Sequence, residues 1–425
     1  MHPLFDDLRW RGLLHQVSDD GKLPGLLDAG GLVAYIGFDP TADSLHVGHL
    51  QQLCTLRRLQ EAGHRPIALV GGGTGMIGDP SFKSEERTFL DADQLQANRD
   101  GIAAQMRRFL DFGAGGALLV DNVEWLGAVR LLDFLRDVGK VFSVNEMVRK
   151  DSVRSRLEGR EQGLSFTEFS YMLLQAWDFL QLHDRYGCLL QAGGSDQWGN
   201  ITEGIDLIRR RRGVQAFGLT SPLITKADGT KFGKTETGTV WLDPARTSPY
   251  AFFQFWLRAA DADVGAYLRR LTFLGRDRIE ELDAATAAHP ERRDAQRALA
   301  LEVTTLVHGA GEAARAERAA AVLFTEAVAS LGPDVLEAAL ADAPATAVGR
   351  GELDAGLALV EALTRTGLAT SRRDARQLLA QGSVYLNGRR VEGEDRAIGA
   401  GDALHGRWVV LRRGKATQHV MTVAG

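Results

Sequence analysis

At 425 residues the chain is too long for one ordinary hydrophobic core, so two or three domains are expected. Hydrophobic residues at 44% and charged residues at 25% are typical of a globular protein, and no apolar run approaches the ~20 residues of a membrane helix. The net charge of −5 does not by itself indicate a nucleic-acid partner. Cys54 and Cys188 form no disulfide framework or metal spacing, and the first residues lack the pattern of a signal peptide, so we expect a cytoplasmic protein.

After a helical lead-in to about residue 30, the sequence predicts a βαβ unit. Strand-like runs at 33–38 and 66–70 flank an amphipathic helix that begins near His46 and His49. The start of a helix favours a phosphate, and two imidazoles there can hydrogen-bond phosphate oxygens. Gly48 leaves room for a base or ribose against the backbone. The alternative is a pair of surface histidines without a role.

A glycine-rich segment after the second strand allows a competing interpretation. Gly73, Gly75 and Gly78 satisfy G-x-G-x-x-G, the fingerprint of nicotinamide and flavin dehydrogenases. A true fingerprint opens an apolar helix, whereas here Asp79-Pro80 and a polar loop follow, and the proline disfavours helical geometry at Asp79. The glycines more plausibly let a ligand lie close to the backbone.

The middle of the chain alternates helices and strands. A helix is predicted at 91–110, a strand at 117–120, and then a mostly helical insertion. A buried helix at 165–180 carries Tyr171, Gln175 and Asp178 at i, i+4 and i+7, on one face. These side chains either satisfy one another or line a polar pocket, because a buried unpaired carboxylate is costly.

Two further segments carry polar groups between elements. A second glycine-rich turn at 193–200 holds Asp196 and Gln197 between a strand and a helix, where open α/β sheets bind ligands. The helix after it ends in four arginines, 209–212, most simply a solvated helix end. The segment 226–235 ends like a P-loop but lacks the required first glycine, so a P-loop NTPase is disfavoured. Lys231 and Lys234 in it suit a leaving pyrophosphate, unless the segment is an ordinary solvated turn.

The C-terminal part differs in composition from the rest. Residues 248–340 look almost entirely helical, and small residues and turn formers around 341–351 indicate a linker. A helix pair then precedes a hairpin whose turn is Asn387-Gly388. From Ser371 onward ten Lys/Arg stand against five Asp/Glu, so this module is locally basic. It presents either a phosphate-facing patch or a solvated basic surface, formed by Arg372, Arg373, Arg376, Arg389 and Arg390.

These motifs together resemble the bacterial tyrosyl-tRNA synthetases, class I enzymes, over essentially the whole chain. His46-Val47-Gly48-His49 resembles the HIGH signature, and 231–235 resembles the KMSKS loop, with Phe232-Gly233 and Thr235 as departures. Segments 171–178 and 193–200 match the tyrosine-specific members. The C-terminal unit is similar to a small RNA-binding module of a ribosomal protein.

The resemblance implies an α/β fold with a Rossmann-like parallel-sheet catalytic domain. That domain would span 1–220, with a helical insertion at about 121–187. The domains expected after it are a lysine-loop region at 221–247, an α-helical domain contacting tRNA at 248–340, a linker at 341–355 and an α+β RNA-binding module at 356–425.

The resemblance also implies roles for individual residues. Tyr35 and Asp178 would hydrogen-bond the substrate phenol, and the ammonium group would be held by Asp79, Tyr171 and Gln175. The residues implied in binding ATP or the adenylate are Gly37, Asp39, Thr41, Gly48, Asp196 and Gln197. The residues implied in catalysis, several of them at the departing pyrophosphate, are His46, His49, Lys83, Arg87, Lys231, Lys234 and Thr235.

The implied reaction activates L-tyrosine with Mg-ATP and then transfers tyrosyl to the 3′ end of tRNA(Tyr). It needs no nucleophilic side chain, which agrees with the lack of a triad-like or metal-ligand cluster in the sequence. Magnesium would arrive with ATP, and the family implies a homodimer without membrane contact. The alternatives are a tryptophanyl-tRNA synthetase, a nucleotide-binding dehydrogenase, and a non-enzymatic RNA-binding protein.

Overall fold

A computed structural model describes residues 3–79, 91–150, 153–154, 164–225, 232–235, 238–322, 326–341, 343–393, 395–414 and 417–424. The chain forms two compact units. The first combines Met1–Arg246 with Ala260–Ala295, and the second combines Thr247–Ala259 with Gln296–Gly425. Among the described residues, no helix has the length and apolar character needed to cross a membrane.

A six-stranded sheet forms the centre of the first unit. Its strands are β1 Gln16–Val17, β2 Val33–Phe38, β3 Arg65–Val70, β4 Leu118–Asp121, β5 Leu190–Gly194 and β6 Phe217–Ser221. The order across the sheet is β1-β6-β5-β2-β3-β4, with β1 antiparallel and the remaining neighbours parallel. Two further short strands, β7 Lys234–Thr235 and β8 Gly238–Thr239, form a separate antiparallel pair. β3, β5 and β6 read as nearly continuous buried runs because helices cover both faces of a parallel sheet. The predicted Rossmann-like parallel sheet is confirmed.

Helices connect and cover these strands. They are α1 Leu4–Trp10, α2 Leu23–Ala29, α3 Val47–Glu61, α4 Ala92–Met106, α5 Val123–Leu126, α6 Leu131–Asp137, α7 Val144–Met147, α8 Phe166–Tyr186, α9 Trp198–Arg212, α11 Asp261–Leu271, α12 Arg276–Ala288 and the first residues of α13 Asp294–His308. The βαβ unit predicted from the sequence is β2-α3-β3. The helical lead-in is instead two short helices separated by β1, which pairs with β6.

Helix α8 is the long buried helix of the predicted insertion. Ser165 caps its start by accepting a hydrogen bond from the Glu168 backbone N–H at 3.2 Å, and Gly187 ends it in the left-handed conformation. Its buried face packs with α9 and against β2 and β3 in one apolar cluster that includes Tyr35, Ile67 and Phe179. The helix therefore carries its polar side chains into the interior of the unit.

The second unit joins helices to a five-stranded sheet. Its elements are α10 Pro249–Leu257, the rest of α13, α14 Ala310–Val322, α15 Pro333–Leu340, β9 Ala345–Gly349, α16 Arg350–Asp354, β10 Leu357–Ala358, α17 Leu359–Arg365, α18 Arg372–Ala380, β11 Val384–Leu386, β12 Arg389–Arg390, β13 Ala397–Ile398, β14 Trp408–Arg413 and β15 Thr417–Ala424. The sheet order is β12-β11-β14-β15-β9, and β10 pairs separately with β13. Trp408 and Val410 of β14 pack with Leu336 of α15, so helices and sheet share a core.

The division of the chain differs from the predicted domain boundaries in two places. Residues 260–295, expected within a separate helical domain, belong to the first unit. Residues 341–355, expected as a linker, contain β9 and α16, and β9 pairs in parallel with β15. Small residues there favour close strand packing as well as turns, so composition alone could not separate the two.

The predicted hairpin at 383–391 is present, with Asn387 at φ 48° and Gly388 at φ 78° in its turn.

Candidate active site

The polar side chains singled out in the first unit converge at the carboxyl ends of the parallel strands. β2 lies between β3 and β5, and the chain leaves β2 toward β3 but returns through β5 on its other side. This change of direction is the topological switch point at which open α/β sheets bind ligands. Asp39 follows β2, Gly71–Asp79 follow β3, and Ser195–Gln197 follow β5.

His46 and His49 together cap the start of α3. The Nδ1 atom of His46 accepts a hydrogen bond from the Gly48 backbone N–H at 3.0 Å, and Nδ1 of His49 accepts one from the His46 N–H at 3.2 Å. Their rings are stacked with centroids 4.0 Å apart. Because each Nδ1 accepts, each neutral ring carries its proton on Nε2. The pair thus gives α3 two ring N–H donors at a helix start that already favours anions.

Gly48 is required by this stacking. A Cβ atom on residue 48 would lie 2.7 Å from Cε1 of His46 and 2.9 Å from its Nδ1. Any larger residue would push the His46 ring out of its place on the cap. The His46 ring thus gives a structural reason for glycine at position 48, separate from the predicted space for a ligand, which stays a prediction.

A short extended segment ties the start of α3 to the lysine-containing region. The backbone N–H of Val47 donates to the Val240 carbonyl at 3.1 Å, and the N–H of Val240 donates to the Gly233 carbonyl at 3.0 Å. The backbone of Lys234 and Thr235 forms a two-residue strand paired with Gly238–Thr239. The region predicted to face the departing pyrophosphate is thereby held beside the histidine pair.

Asp178, on α8, is almost fully buried, and together with the polar groups described below it defines the candidate pocket. Its Oδ1 accepts a hydrogen bond from the Trp125 Nε1 at 2.7 Å, and its Oδ2 accepts one from the Asn122 Nδ2 at 2.9 Å. Burial raises the pKa of Asp178 to about 8, while these two donors act in the opposite direction. The carboxylate is therefore fixed in place, yet close to the balance between its charged and neutral forms.

Tyr35, on β2, faces the same carboxylate from the sheet. Its side chain is 1% exposed, and its hydroxyl finds no hydrogen-bond partner among the described residues. Burial and then the charge of Asp178 raise the pKa of Tyr35 well above its ordinary value. A buried hydroxyl without a partner is uncommon, since it forfeits hydrogen bonds made in water, and it marks a position where a ligand group can pair.

Asp39 and Tyr171 form a second polar contact above this pair. The Tyr171 hydroxyl donates to Asp39 Oδ2 at 2.9 Å, and the Thr74 hydroxyl donates to Asp39 Oδ1 at 2.8 Å. Asn122 Nδ2 also donates to the Thr74 hydroxyl at 2.9 Å. This chain of hydrogen bonds links the end of β2, the turn after β3 and the end of β4 into one wall of the pocket.

A third group of amides and carboxylates joins the turns after β3 and β5 to α8. Gln197 Nε2 donates to Asp79 Oδ2 at 2.8 Å and to Asp196 Oδ2 at 3.1 Å. Gln175 Nε2 donates to Gln197 Oε1 at 3.2 Å. Burial raises the pKa of Asp196, and the nearby Asp79 raises it further. Two carboxylates and two amides in this group are suited to a cationic ammonium group.

The remaining residues predicted for the nucleotide site have few contacts to report. Gly37 is exposed near the end of β2. Thr41 is also exposed, and its backbone N–H donates a hydrogen bond to the Asp39 carbonyl at 2.8 Å. Lys83, Arg87 and Lys231 lie outside the described residues. Of Lys234 and Thr235 only the backbone is described.

Sequence reasoning missed Asn122 and Trp125, which hold Asp178, together with Thr74 and Asn200. Asn200 Nδ2 donates to Gln175 Oε1 at 2.9 Å. The one available signal was that Asn122 directly follows a strand, at the edge where α/β sheets place their ligands. Nothing in the local spacing joins residues 122 and 125 to residue 178 on another helix.

The arginine run of the first unit and the arginines of the second unit differ in the ion pairs that they form. Arg209 and Arg210 pair with Asp206, and Arg212 pairs with Asp184, which favours the simple solvated helix end over an RNA contact. Arg372, Arg373 and Arg376 are exposed on α18 of the second unit. In the hairpin beyond α18, Arg389 and Arg390 are also exposed, and the Nε of Arg390 donates to the Gly382 carbonyl at 2.7 Å.

Comparison with known proteins matches both units. A family model described as "tRNA synthetases class I (W and Y)" matches residues 28–325, and a tyrosine–tRNA ligase C-terminal domain model matches residues 335–421. The tyrosine–tRNA ligase of Roseiflexus castenholzii is 54% identical over 99% of both chains. That of Geobacillus stearothermophilus is 49% identical over 99% of this chain and 100% of its own.

Solved structures agree with these matches. A C-terminally truncated mitochondrial tyrosyl-tRNA synthetase from Aspergillus nidulans is 31% identical, with a TM-score of 0.68 over 76% of this chain and 95% of its own. A tryptophanyl-tRNA synthetase from Encephalitozoon cuniculi, 14% identical with a TM-score of 0.53 over 78% of this chain and 89% of its own, shares the fold alone. The dehydrogenase and the non-enzymatic RNA-binding alternatives are therefore excluded, and the tryptophanyl alternative is less supported. With family matches across both units and relatives about half identical along its length, the chain belongs to the class I tyrosyl-tRNA synthetases, the tyrosine–tRNA ligases.

Proposed function

We propose that the chain selects L-tyrosine at the bottom of the pocket, between Tyr35 and Asp178. The observation that carries this assignment is the buried Tyr35 hydroxyl, which has no hydrogen-bond partner in the described part of the chain, beside a carboxylate that is already held by two N–H donors. A phenol hydroxyl placed there donates to Asp178 and accepts from Tyr35, so each buried polar group becomes satisfied. Phenylalanine would leave both without that partner.

The ammonium group of the amino acid is held at the pocket opening, by Asp79, Tyr171 and Gln175. Asp79 and Gln175 are both linked to Gln197, and Tyr171 is oriented by its bond to Asp39. Their partial and full negative charges match a cation, whereas the carboxylate of the substrate points away toward the phosphates. This orientation places the attacking oxygen near the start of α3.

ATP binds across the carboxyl ends of β2 and β5 as its magnesium complex. Gly37, Asp39, Thr41, Gly48, Asp196 and Gln197 lie around this edge and contact the nucleotide or the adenylate. The Nε2 donors of His46 and His49 stabilise charge that develops on the phosphates as pyrophosphate departs. Lys83, Arg87, Lys231, Lys234 and Thr235 complete this stabilisation from the segments after β3 and before Gly238.

Tyrosyl transfer follows when the terminal ribose hydroxyl of tRNA(Tyr) displaces AMP. The second unit contributes RNA contacts through its exposed arginines, and those on α18 share one helix near its N-terminus. The helices after Ser248 contribute further tRNA contacts. Both cysteines are buried and unpaired, which agrees with a cytoplasmic location.

The enzyme acts as a homodimer through an apolar surface of the insertion. Leu132 on α6 and Phe166 at the start of α8 are each 77% exposed, and Leu131, Leu135 and Val144 are exposed beside them in sequence. Several exposed large apolar side chains within one segment of the chain are typical of a protein interface. Replacing Leu132 with Glu should produce monomers in sedimentation velocity, and an unchanged dimer would place the interface elsewhere.

The decisive assay is amino-acid-dependent exchange of labelled pyrophosphate into ATP, run with tyrosine, with tryptophan and with no amino acid. Exchange with tyrosine alone is expected. Exchange with tryptophan at a comparable kcat/KM would favour the tryptophanyl alternative, and exchange without any amino acid would contradict the assignment of the pocket.

A further inference from the structure

The turn between β4 and α5 is held by an ion pair outside the pocket. The Asp121 carboxylate accepts through Oδ2 from Arg99 Nε at 2.6 Å, and the same oxygen lies 2.5 Å from Arg99 Nη2, so two guanidinium nitrogens meet one carboxylate oxygen in a charge-assisted contact. Its other oxygen accepts from the Val123 backbone N–H at 2.9 Å, at the start of α5. Arg99 comes from the middle of α4, so the pair fastens that helix to the turn.

The same turn supplies both donors that grip Asp178. Asn122 follows Asp121 directly, and Trp125 lies on α5, one turn further along the chain. The end of β3 packs tightly over the ion pair, since a Cβ atom on Gly72 would lie 2.3 Å from Asp121 Oδ1 and 2.9 Å from Arg99 Nε. A displacement of Asp121 would therefore move the two donors, Asn122 and Trp125, whose hydrogen bonds hold Asp178.

Several titratable groups face Asp178 from the elements packed around it. They are Tyr35 on β2, Asp39 after β2, Asp121 at the end of β4 and Tyr171 on α8 itself. Asp39 and Asp121 both act to raise the pKa of Asp178, because a second negative charge nearby disfavours its ionised form. Arg99 pairs with one of these two carboxylates, and both members of the pair are only about one-fifth exposed (22% and 19%).

We propose that Arg99 is a positioning residue for tyrosine selection. It fixes the turn that presents Asn122 and Trp125 to Asp178, and it offsets the charge of Asp121 so that Asp178 can receive the substrate phenol in its ionised form. Arg99 itself does not touch the substrate. The proposal rests on the proposed function, in which Asp178 binds the phenol.

The test compares Arg99→Gln, Asp121→Asn and the double variant with Arg278→Gln. The last removes an exposed i,i+3 ion pair of the same unit, Arg278–Glu281 at 2.9 Å, and serves as the matched control. The measurement is the pH dependence of kcat/KM for tyrosine in pyrophosphate exchange, which reports groups of the free enzyme. Thermal unfolding is measured in parallel.

The expected shifts have opposite signs. Because the ionised form of Asp178 receives the phenol, kcat/KM rises as the pH rises through its pKa. Arg99→Gln leaves Asp121 charged and unpaired, so the inflection moves to higher pH, and selection of tyrosine over phenylalanine falls several-fold while the KM for ATP is unchanged. Asp121→Asn removes the charge and moves the inflection to lower pH, and in the double variant Asp121→Asn cancels the upward shift of Arg99→Gln. Arg278→Gln leaves the profile in place.

Two results would overturn the proposal. One is a profile for Arg99→Gln that coincides with the wild-type profile. The other is an Arg99→Gln variant that has lost activity at every pH and has a lower melting temperature, if adding Asp121→Asn does not restore the activity. That result would make the ion pair purely structural. Asp178→Asn, run in the same assay, separates this outcome from failure of the proposed function: if it leaves tyrosine selection intact, the role of Asp178 itself is wrong.

Discussion

Two regions of the candidate site are held in place by different kinds of contact: the floor, formed by Asp178 and Tyr35, and the edge, formed by His46 and His49. On the floor, Asp178 and Tyr35 are 2% and 1% exposed, and the carboxylate is fixed by Asn122, which follows β4, and by Trp125, on α5. At the edge, His46 and His49 are only half-buried; their side chains stack on each other and accept from backbone N–H groups of their own helix start, and Trp241 and Phe38 contact their rings. Tertiary contacts position the first pair, whereas the second pair combines local capping with these ring contacts.

The difference matches what the two regions are proposed to do. Selection gains from burial, because a group that must pair with a hydroxyl is left unsatisfied when the hydroxyl is missing, a principle for which tyrosyl-tRNA synthetases are themselves the reference example. Phosphate chemistry gains from donors aimed at charge that develops during the reaction. Changes on the floor should therefore act on the choice of amino acid, and changes at the edge on the rate of activation.

Asp178→Asn should have the largest effect. An asparagine amide presents an N–H group to one of the two donors, Asn122 or Trp125, and leaves a buried donor unpaired. We expect kcat/KM for tyrosine in pyrophosphate exchange to fall about 10³-fold, with the KM for ATP nearly unchanged. A loss seen equally in the KM for ATP would show that floor and edge are not separable.

His46→Asn tests the edge while keeping the helix cap, because asparagine is among the best N-cap residues. The imidazole donor is removed, so kcat for adenylate formation should fall about 10²-fold, as it does when one preorganised donor is lost. The KM for tyrosine and the melting temperature should stay close to wild type. A large drop in the melting temperature would instead make capping the main role of His46.

Tyr35→Phe should affect only the discrimination between tyrosine and phenylalanine, and its effect should be smaller than those of Asp178→Asn and His46→Asn. The Tyr35 hydroxyl has no partner among the described residues, so its removal should leave the free energy of unfolding unchanged or slightly higher. Discrimination between tyrosine and phenylalanine should fall about tenfold, the value of one neutral hydrogen bond. An unchanged ratio in the exchange assay would remove Tyr35 from the phenol site.

Arg376→Gln should have the smallest effect and lies outside both regions, in the second unit. Loss of one phosphate contact should raise the KM for tRNA(Tyr) several-fold and reduce the salt dependence of charging by about one unit of slope. Pyrophosphate exchange should not change. Arg212→Gln, which removes a paired arginine of the first unit, is the matched control and should leave tRNA charging as it was.

The sequence was sufficient where a function depends on neighbours along the chain. The two histidines at the start of α3, the glycine next to them in sequence and the turn at Gly193–Asn200 all lie within single segments, so spacing predicted their places between strand and helix. The i, i+4, i+7 pattern also placed Tyr171, Gln175 and Asp178 on one face of α8. In the structure the three side chains hydrogen-bond to different partners, Tyr171 to Asp39, Gln175 to Gln197 and Asp178 to Asn122 and Trp125, and their role in substrate binding stays a prediction.

The sequence was insufficient where a function depends on segments far apart in the chain. Asn122 and Trp125 hydrogen-bond to Asp178, which is more than fifty residues away in the chain, and no local sequence pattern predicts these contacts. β9 was read as a linker because its small residues suit both a flexible connection and a strand, and only its pairing with β15 decides between them. The arginine run at 209–212 gained its partners Asp206 and Asp184 in part from another helix.

The extended segment around Val240 has a consequence for the order of events during turnover. It hydrogen-bonds Gly233 on one side and Val47 on the other, so the two are joined by a relay of two backbone contacts. A ligand that draws the lysine-bearing residues inward must either carry the first turn of α3 with them or break these contacts, at roughly 1 kcal/mol each. In the proposed mechanism, the histidines and the lysines therefore contact the triphosphate at the same time instead of one after the other.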